Sequence, residues 1–227
     1  MAYRVGTQKR IMNLPTKITV TRIALIGVML LGLLVLACIP DLVVPDLVIG
    51  DAHINPIYIA VFFIFIIASV TDAIDGHLAR KNNQVTNLGK FLDPVADKML
   101  VNATMIFLLV PQAYALSHAR GYLANTIMMF CVILMIIRDL VIDVLRLIAV
   151  EKKVVIAANK YGKLKTIFQM VAIPCVLIND WPFCYIDFAF PEPLKICYIF
   201  FYLATIMSLV SGIIYIKQNI NVLKETN

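Results

Sequence analysis

Residues 71–98 read TDAIDGHLARKNNQVTNLGKFLDPVADK, and the rest of the chain is organised around them. Asp72, Asp75, Asp93 and Asp97 stand between two very apolar runs, Ile57–Val70 and Met99–Val110. Carboxylates at the edge of hydrocarbon are costly, so their presence there is a functional signal. An α-helix turns about 100° per residue. On that wheel Asp75 falls about 60° from Asp72, Gly76 about 40° away and Ala79 about 20° away. Two acids therefore share a face with two very small residues. Asp93 and Asp97 are one turn apart, and Gly89 is one turn before Asp93. If the polar stretch Lys81–Leu88 reverses the chain, the two acid-bearing faces can meet. Facing carboxylates repel unless cations sit among them. An all-oxygen cluster suits Mg²⁺ or Mn²⁺ better than zinc.

Outward from this stretch the composition is that of a membrane protein. The 227 residues are 61% hydrophobic, and the mean hydropathy is +0.89, far above a soluble domain. Apolar runs long enough to span recur, which predicts an all-α, polytopic protein of six transmembrane helices in a single domain, residues 1–227. Residues 1–15 carry Arg4, Lys9 and Arg10 among Tyr3, Val5, Ile11 and Met12. They read as a short amphipathic surface helix or a basic tail. The first apolar run lacks a convincing cleavage site and reads as a retained span.

The expected helices are about 16–39, 56–80, 89 or 93 to 110, 123–150, 163–177 and 194–216, with 40–55 as a loop. Pro94 leaves the third start open, because Asp93 could be an N-cap with proline at N1. With six spans, only Arg120 and Lys195 of the 20 Lys and Arg fall on the side away from the termini. The positive-inside rule then puts both termini and the 72–98 stretch in the cytoplasm. The net charge of +6 fits contact with anionic membrane lipids. It does not indicate nucleic acid, because the basic residues flank spans and form no soluble patch. The five cysteines include no CxxC pair and read as small apolar residues. Cys38 and Cys184 could both lie near the outer surface and pair there.

The spacing Asp72-x2-Asp75-Gly76-x2-Ala79-Arg80-x8-Gly89-x3-Asp93-x3-Asp97 resembles, at every signature position, the motif of the CDP-alcohol phosphatidyltransferase family. The similarity extends to Asn13-Leu14-Pro15, Thr19 and Arg22, to Asp93–Lys98, and to Gly162-Lys163-Leu164-Lys165-Thr166 with Gln169. These features look like the bacterial members that use glycerol 3-phosphate. Arg138-Asp139 departs from the Arg-Glu expected there, with the charge kept.

The resemblance implies a six-helix core in a bacterial cell membrane, with CDP-diacylglycerol as phosphatidyl donor, CMP as leaving group and a homodimeric assembly. It assigns Asp72, Asp75, Asp93 and Asp97 to a pair of Mg²⁺ or Mn²⁺ ions, with Asp97 as the base. Asp72, Gly76, Ala79, Arg80 and Gly89 would line the CDP-diacylglycerol site. For the acceptor, sn-glycerol 3-phosphate, an anion pocket is expected from Arg138, Lys163, Lys165 and Thr166, with Arg146 as a further contributor. Phosphatidylglycerol, serine or an inositol phosphate are alternative acceptors.

Plainer readings compete. Arg138 could simply pair with Asp139 or Asp143, and Arg146 could snorkel to the interface. His77 lies about 140° from Asp72 on the wheel and reads as a surface residue. Intramembrane acids with basic partners also mark ion-coupled transporters, although clustering at one membrane face and the lack of an inverted repeat argue against that class.

Overall fold

An apolar run in hydrocarbon must satisfy its own amides, so it closes as a helix. The computed structural model describes residues 14–39, 44–49, 52–81, 87–109, 121–152, 160–186 and 189–220. Its long helices are α1 Leu14–Ala37, α2 Pro56–Lys81, α3 Asn87–Leu109, α4 Tyr122–Glu151, α5 Lys160–Leu177 and α6 Ile196–Gln218. The proposed surface helix over 1–15 lies almost wholly outside the described residues.

Two regions bear on the reading of the sequence, while the other helix ends fall within about three residues of those expected. The 40–55 loop holds a short antiparallel ribbon, β1 Leu47–Ile49 against β2 Ala52–Ile54, with Val48 opposite His53. Asn55 follows it and caps α2, its side-chain oxygen accepting from the Ile57 N–H at 2.9 Å. Pro56 then fills the first helical position, where a missing N–H costs nothing. The second is the start of α3, where the earlier of the two expected starts, near Gly89, is the one that fits. It begins at Asn87, so Pro94 lies inside the helix and Asp93 is not its cap. The proline removes the helical donor for the Lys90 carbonyl.

Three helical segments are long and apolar enough to cross a membrane, Thr16–Leu36, Pro56–Ile74 and Ile196–Gln218. The other three long helices are more mixed, because α3 carries Asp93, Asp97 and Lys98 and α4 carries Arg138, Asp139, Asp143 and Arg146. Large apolar side chains face outward, among them Val28, Leu31 and Leu34 on α1, Phe63 and Ile67 on α2, and Leu147 on α4. Such faces require an apolar environment.

Between helices in lipid, close packing replaces the hydrophobic drive and favours small residues. Ala68, Ala96, Ala124, Ala172, Ala204, Ser208 and Ser211 are accordingly buried completely, at 0% exposure. Helix α5 is central, packed on α2, α3 and α6; α1 packs on α2 and α3, and α4 on α3 and α6. None of the five cysteines is in a disulfide, so the Cys38–Cys184 pairing does not form.

Candidate active site

Two polar clusters meet at Asp97. The first lies where α1 crosses α2 and α3. Arg22 is buried on α1, on the face that also carries Thr16 and Thr19, and pairs with Asp72 of α2. One turn earlier, Thr19 donates its hydroxyl to Asp93 Oδ1 of α3 at 2.8 Å. Helix α1 thus holds one acid from each arm of the 72–98 stretch. Gly89 is buried on α3, one turn before Asp93. Asp75, Gly76, Ala79 and Arg80 stand on α2, and their side chains, like that of His77, lie outside the described residues.

The second cluster is a polar cavity of about 160 Å³ between α3, α4 and α5. Asp97, Lys98, Arg138, Asp139, Asp143, Arg146, Lys165 and Thr166 line it, with Gly162 and Gln169 on the α5 side. Four of the five residues expected in an acceptor pocket therefore surround one space with the expected base. Lys163 does not line it and is exposed, because helical spacing turns it away from the face that carries Lys165.

The cations here are organised by carboxylates. Arg138 donates to Asp139 Oδ1 at 2.8 Å, and Lys165 donates to Asp139 Oδ2 at 2.7 Å. The internal pairing considered for Arg138 thus exists, and it leaves Arg138 on the cavity wall. Lys98 pairs with Asp143 across α3 and α4. Lys165 is nearly buried, at 7% exposure, and a buried cation is stable only when paired and hydrogen-bonded. Gln169 is also buried, its amide nitrogen 3.0 Å from Met105 Sδ.

Asp97 joins the clusters. Its carboxylate is within electrostatic reach of Asp72 and Arg22 on one side and of Lys165 and Asp139 on the other. Among the described residues no three His, Cys, Asp or Glu side chains converge on a metal position. The donor chemistry nevertheless fits a hard divalent cation. Asp72, Asp93 and Asp97 supply oxygen only, and the like charges of Asp72 and Asp97 would be relieved by one.

Sequence reasoning singled out the acids by their spacing but missed Lys98 and the tethers from Thr19 and Arg22 to particular acids. A lone arginine inside an apolar span was the available signal for Arg22.

A model of the CDP-alcohol phosphatidyltransferase family matches residues 12–214. Among curated proteins, the CDP-diacylglycerol–glycerol-3-phosphate 3-phosphatidyltransferase of Bacillus subtilis (strain 168) is 38% identical over 170 residues, covering 75% of this chain and 78% of that protein. The protein of the same name from Mycoplasma pneumoniae is 39% identical over 164 residues, 68% of this chain and 64% of its own. That from Mycoplasma genitalium is 46% identical over 111 residues, 49% and 42% of the two chains. None of the relatives named here is a transporter.

Proposed function

The chain belongs to the CDP-alcohol phosphatidyltransferase family, and from that premise we infer that it is a phosphatidylglycerophosphate synthase. It transfers the phosphatidyl group of CDP-diacylglycerol to sn-glycerol 3-phosphate and releases CMP. The observation that carries the acceptor is the cavity in which Asp97 shares one space with Arg138, Lys165 and Thr166.

Within this reading each residue has a task. Arg138 and Lys165 bind the acceptor phosphate by charge-assisted hydrogen bonds. That anchors the acceptor so that its terminal hydroxyl is presented to Asp97, which takes the hydroxyl proton as general base. The freed oxygen bonds to the β-phosphorus of CDP-diacylglycerol as the bond to the CMP oxygen breaks. Gly76, Ala79 and Gly89 leave room for the nucleotide, and Arg80 pairs with its phosphates. Asp72, Asp75, Asp93 and Asp97 would hold Mg²⁺ or Mn²⁺, whose chemistry is to neutralise charge on the pyrophosphate and the departing CMP.

The mixed helices α3, α4 and α5 complete six spans in this reading, with both termini and the site at the cytoplasmic face. A homodimer follows from the family likeness alone.

Release of CMP by purified protein, measured with a panel of acceptors, tests the function. Glycerol 3-phosphate should support turnover, while phosphatidylglycerol, serine and inositol phosphate should not. A better rate with any of the three would reassign the acceptor. Arg138→Ala and Lys165→Ala each remove one charge-assisted bond of about 1.5–3 kcal/mol. The KM for glycerol 3-phosphate should then rise roughly ten- to a hundredfold, with CDP-diacylglycerol binding retained.

A further inference from the structure

Helix α6 lends no side chain to the wall of the acceptor cavity, yet it seats the guanidinium on which that cavity depends. Arg138 Nη2 donates to Ser211 Oγ at 2.5 Å, and Nη1 donates to Asp139 at 2.8 Å. The stem of the arginine lies on Gly212. A Cβ built at Gly212 would stand 3.0 Å from Arg138 Cγ and 3.3 Å from Nε. Cγ is close to the root of the side chain, so relief of the contact shifts the base of the Arg138 side chain, or the helices that carry it, by a few tenths of an ångström. On the other side, a Cβ at Gly162 of α5 would meet Ser211 Oγ at 3.5 Å. Ser211 itself is fully buried.

Three helices therefore converge on one hydroxyl, with a glycine on either side. Simple close packing of helices also selects small residues. It does not require that the serine accept from a guanidinium, nor that the glycine face an arginine stem. A guanidinium carries five N–H groups. Here one, at Nε, is buried without a partner, and one on each terminal nitrogen is engaged. Each terminal nitrogen carries a second N–H, of the kind that forms charge-assisted bonds to an oxyanion.

We propose that Ser211 and Gly212 of α6 are positioning residues, which fix the plane and height of the Arg138 guanidinium and thereby set the selectivity for a phosphorylated acceptor. The proposal rests on the acceptor-pocket reading above and adds to it a specificity element outside the family motif. Binding groups must be held to within about 0.5 Å of the productive geometry. A methyl group at Gly212 displaces Arg138 on that scale, and loss of the Ser211 hydroxyl frees its outer nitrogen.

The test is a two-substrate kinetic titration of the full-length protein in detergent–lipid micelles, with thermal unfolding alongside, for Ser211→Ala, Gly212→Ala and Arg138→Ala. Ser211→Ala should raise the KM for glycerol 3-phosphate about tenfold, the scale of one charge-assisted bond. Gly212→Ala should raise it about three- to tenfold, on the scale of a partly displaced bond. In both, the KM for CDP-diacylglycerol should stay within about twofold of the parent protein, since only acceptor binding is disturbed.

If Arg138→Ala raises the acceptor KM while the two α6 variants leave it alone, the proposal fails and the acceptor pocket stands. If Arg138→Ala itself leaves the acceptor KM unchanged, the acceptor pocket is misplaced and the proposal falls with it. A loss of unfolding temperature with equal losses toward both substrates would reduce Ser211 and Gly212 to helix packing. Should Gly212→Ala fail to fold, Ser211→Ala decides alone.

Discussion

Asp97 links the carboxylates of the 72–98 stretch to the cavity between α3, α4 and α5, because it lines that cavity and lies within electrostatic reach of Asp72 and Arg22 as well as Lys165 and Asp139. Asp97→Asn preserves its shape and removes its capacity to take a proton. Turnover should fall by about 10²–10⁴, the usual contribution of a general base, while CDP-diacylglycerol still binds. CMP release from a mutant that retains the parent's unfolding temperature is the measurement, and a rate near the parent's would remove Asp97 from the mechanism. Asp75→Asn should abolish turnover in the same assay.

Thr19 offers a subtler test at this scale. Its hydroxyl bonds Asp93 at 2.8 Å, so Thr19→Val leaves the carboxylate free to rotate. Outer partners of metal-binding side chains typically contribute ten- to a hundredfold in affinity. The Mg²⁺ concentration for half-maximal activity should rise by about tenfold. An unchanged Mg²⁺ titration would make the contact purely structural. The acids were legible in the sequence because helical spacing places them on common faces. Their tethers were not, since Thr19 and Asp93 are 74 positions apart and Arg22 and Asp72 are 50 apart.

At the scale of the helices, two termini are capped by carboxylates borrowed from elsewhere in the chain. The N-cap of α6, Lys195, makes no side-chain cap. Asp180 accepts from the N–H of Cys197, seventeen residues further on, at 2.9 Å. It reaches that point because α5 closes with Asn179 and Asp180 at positive φ, 51° and 64°, and the Asp180 N–H returns to Cys175 O at 2.9 Å. Asp180 is buried, so Asp180→Ala should cost about 1–2 kcal/mol, as for a lost N-cap. A lower unfolding temperature with unchanged KM values would bear this out, and undiminished stability would deny Asp180 the role.

The N–H of Gly121, which precedes α4, lies 2.7 Å from both carboxylate oxygens of Glu192. The helices themselves were legible from apolar run length. Their caps were not, because a cap supplied from another loop leaves no local pattern. The same limit explains α3: a proline seven residues in looks like a first-turn proline until the preceding turn is seen to be helical.

For the whole molecule, the acid-bearing stretch and the outward apolar faces suit an enzyme of the CDP-alcohol phosphatidyltransferase family. Asp72 and Asp97 repel one another electrostatically, and their oxygen-only chemistry suits a hard divalent cation. Exhaustive chelation with EDTA should therefore abolish CMP release, and Mg²⁺ or Mn²⁺ should restore it. Ca²⁺ should restore little, since it is larger and adopts looser coordination. Activity that survives chelation would exclude a metal-assisted reaction.

By itself the sequence determined the helical class, the apolar spans, the acid-bearing stretch and its place at their end, because run length, helical period and charge are local properties. The family motif is likewise a matter of fixed spacing. Only the tertiary structure decided which charges meet. It brought Lys165 to the Asp139 carboxylate beside Arg138, set Asp97 on the wall of the same cavity, and seated Arg138 on α6. Those outcomes depend on how α3, α4, α5 and α6 rotate and approach one another. Such rotations are set by small side chains far apart in the chain, and no local pattern encodes the distance between them.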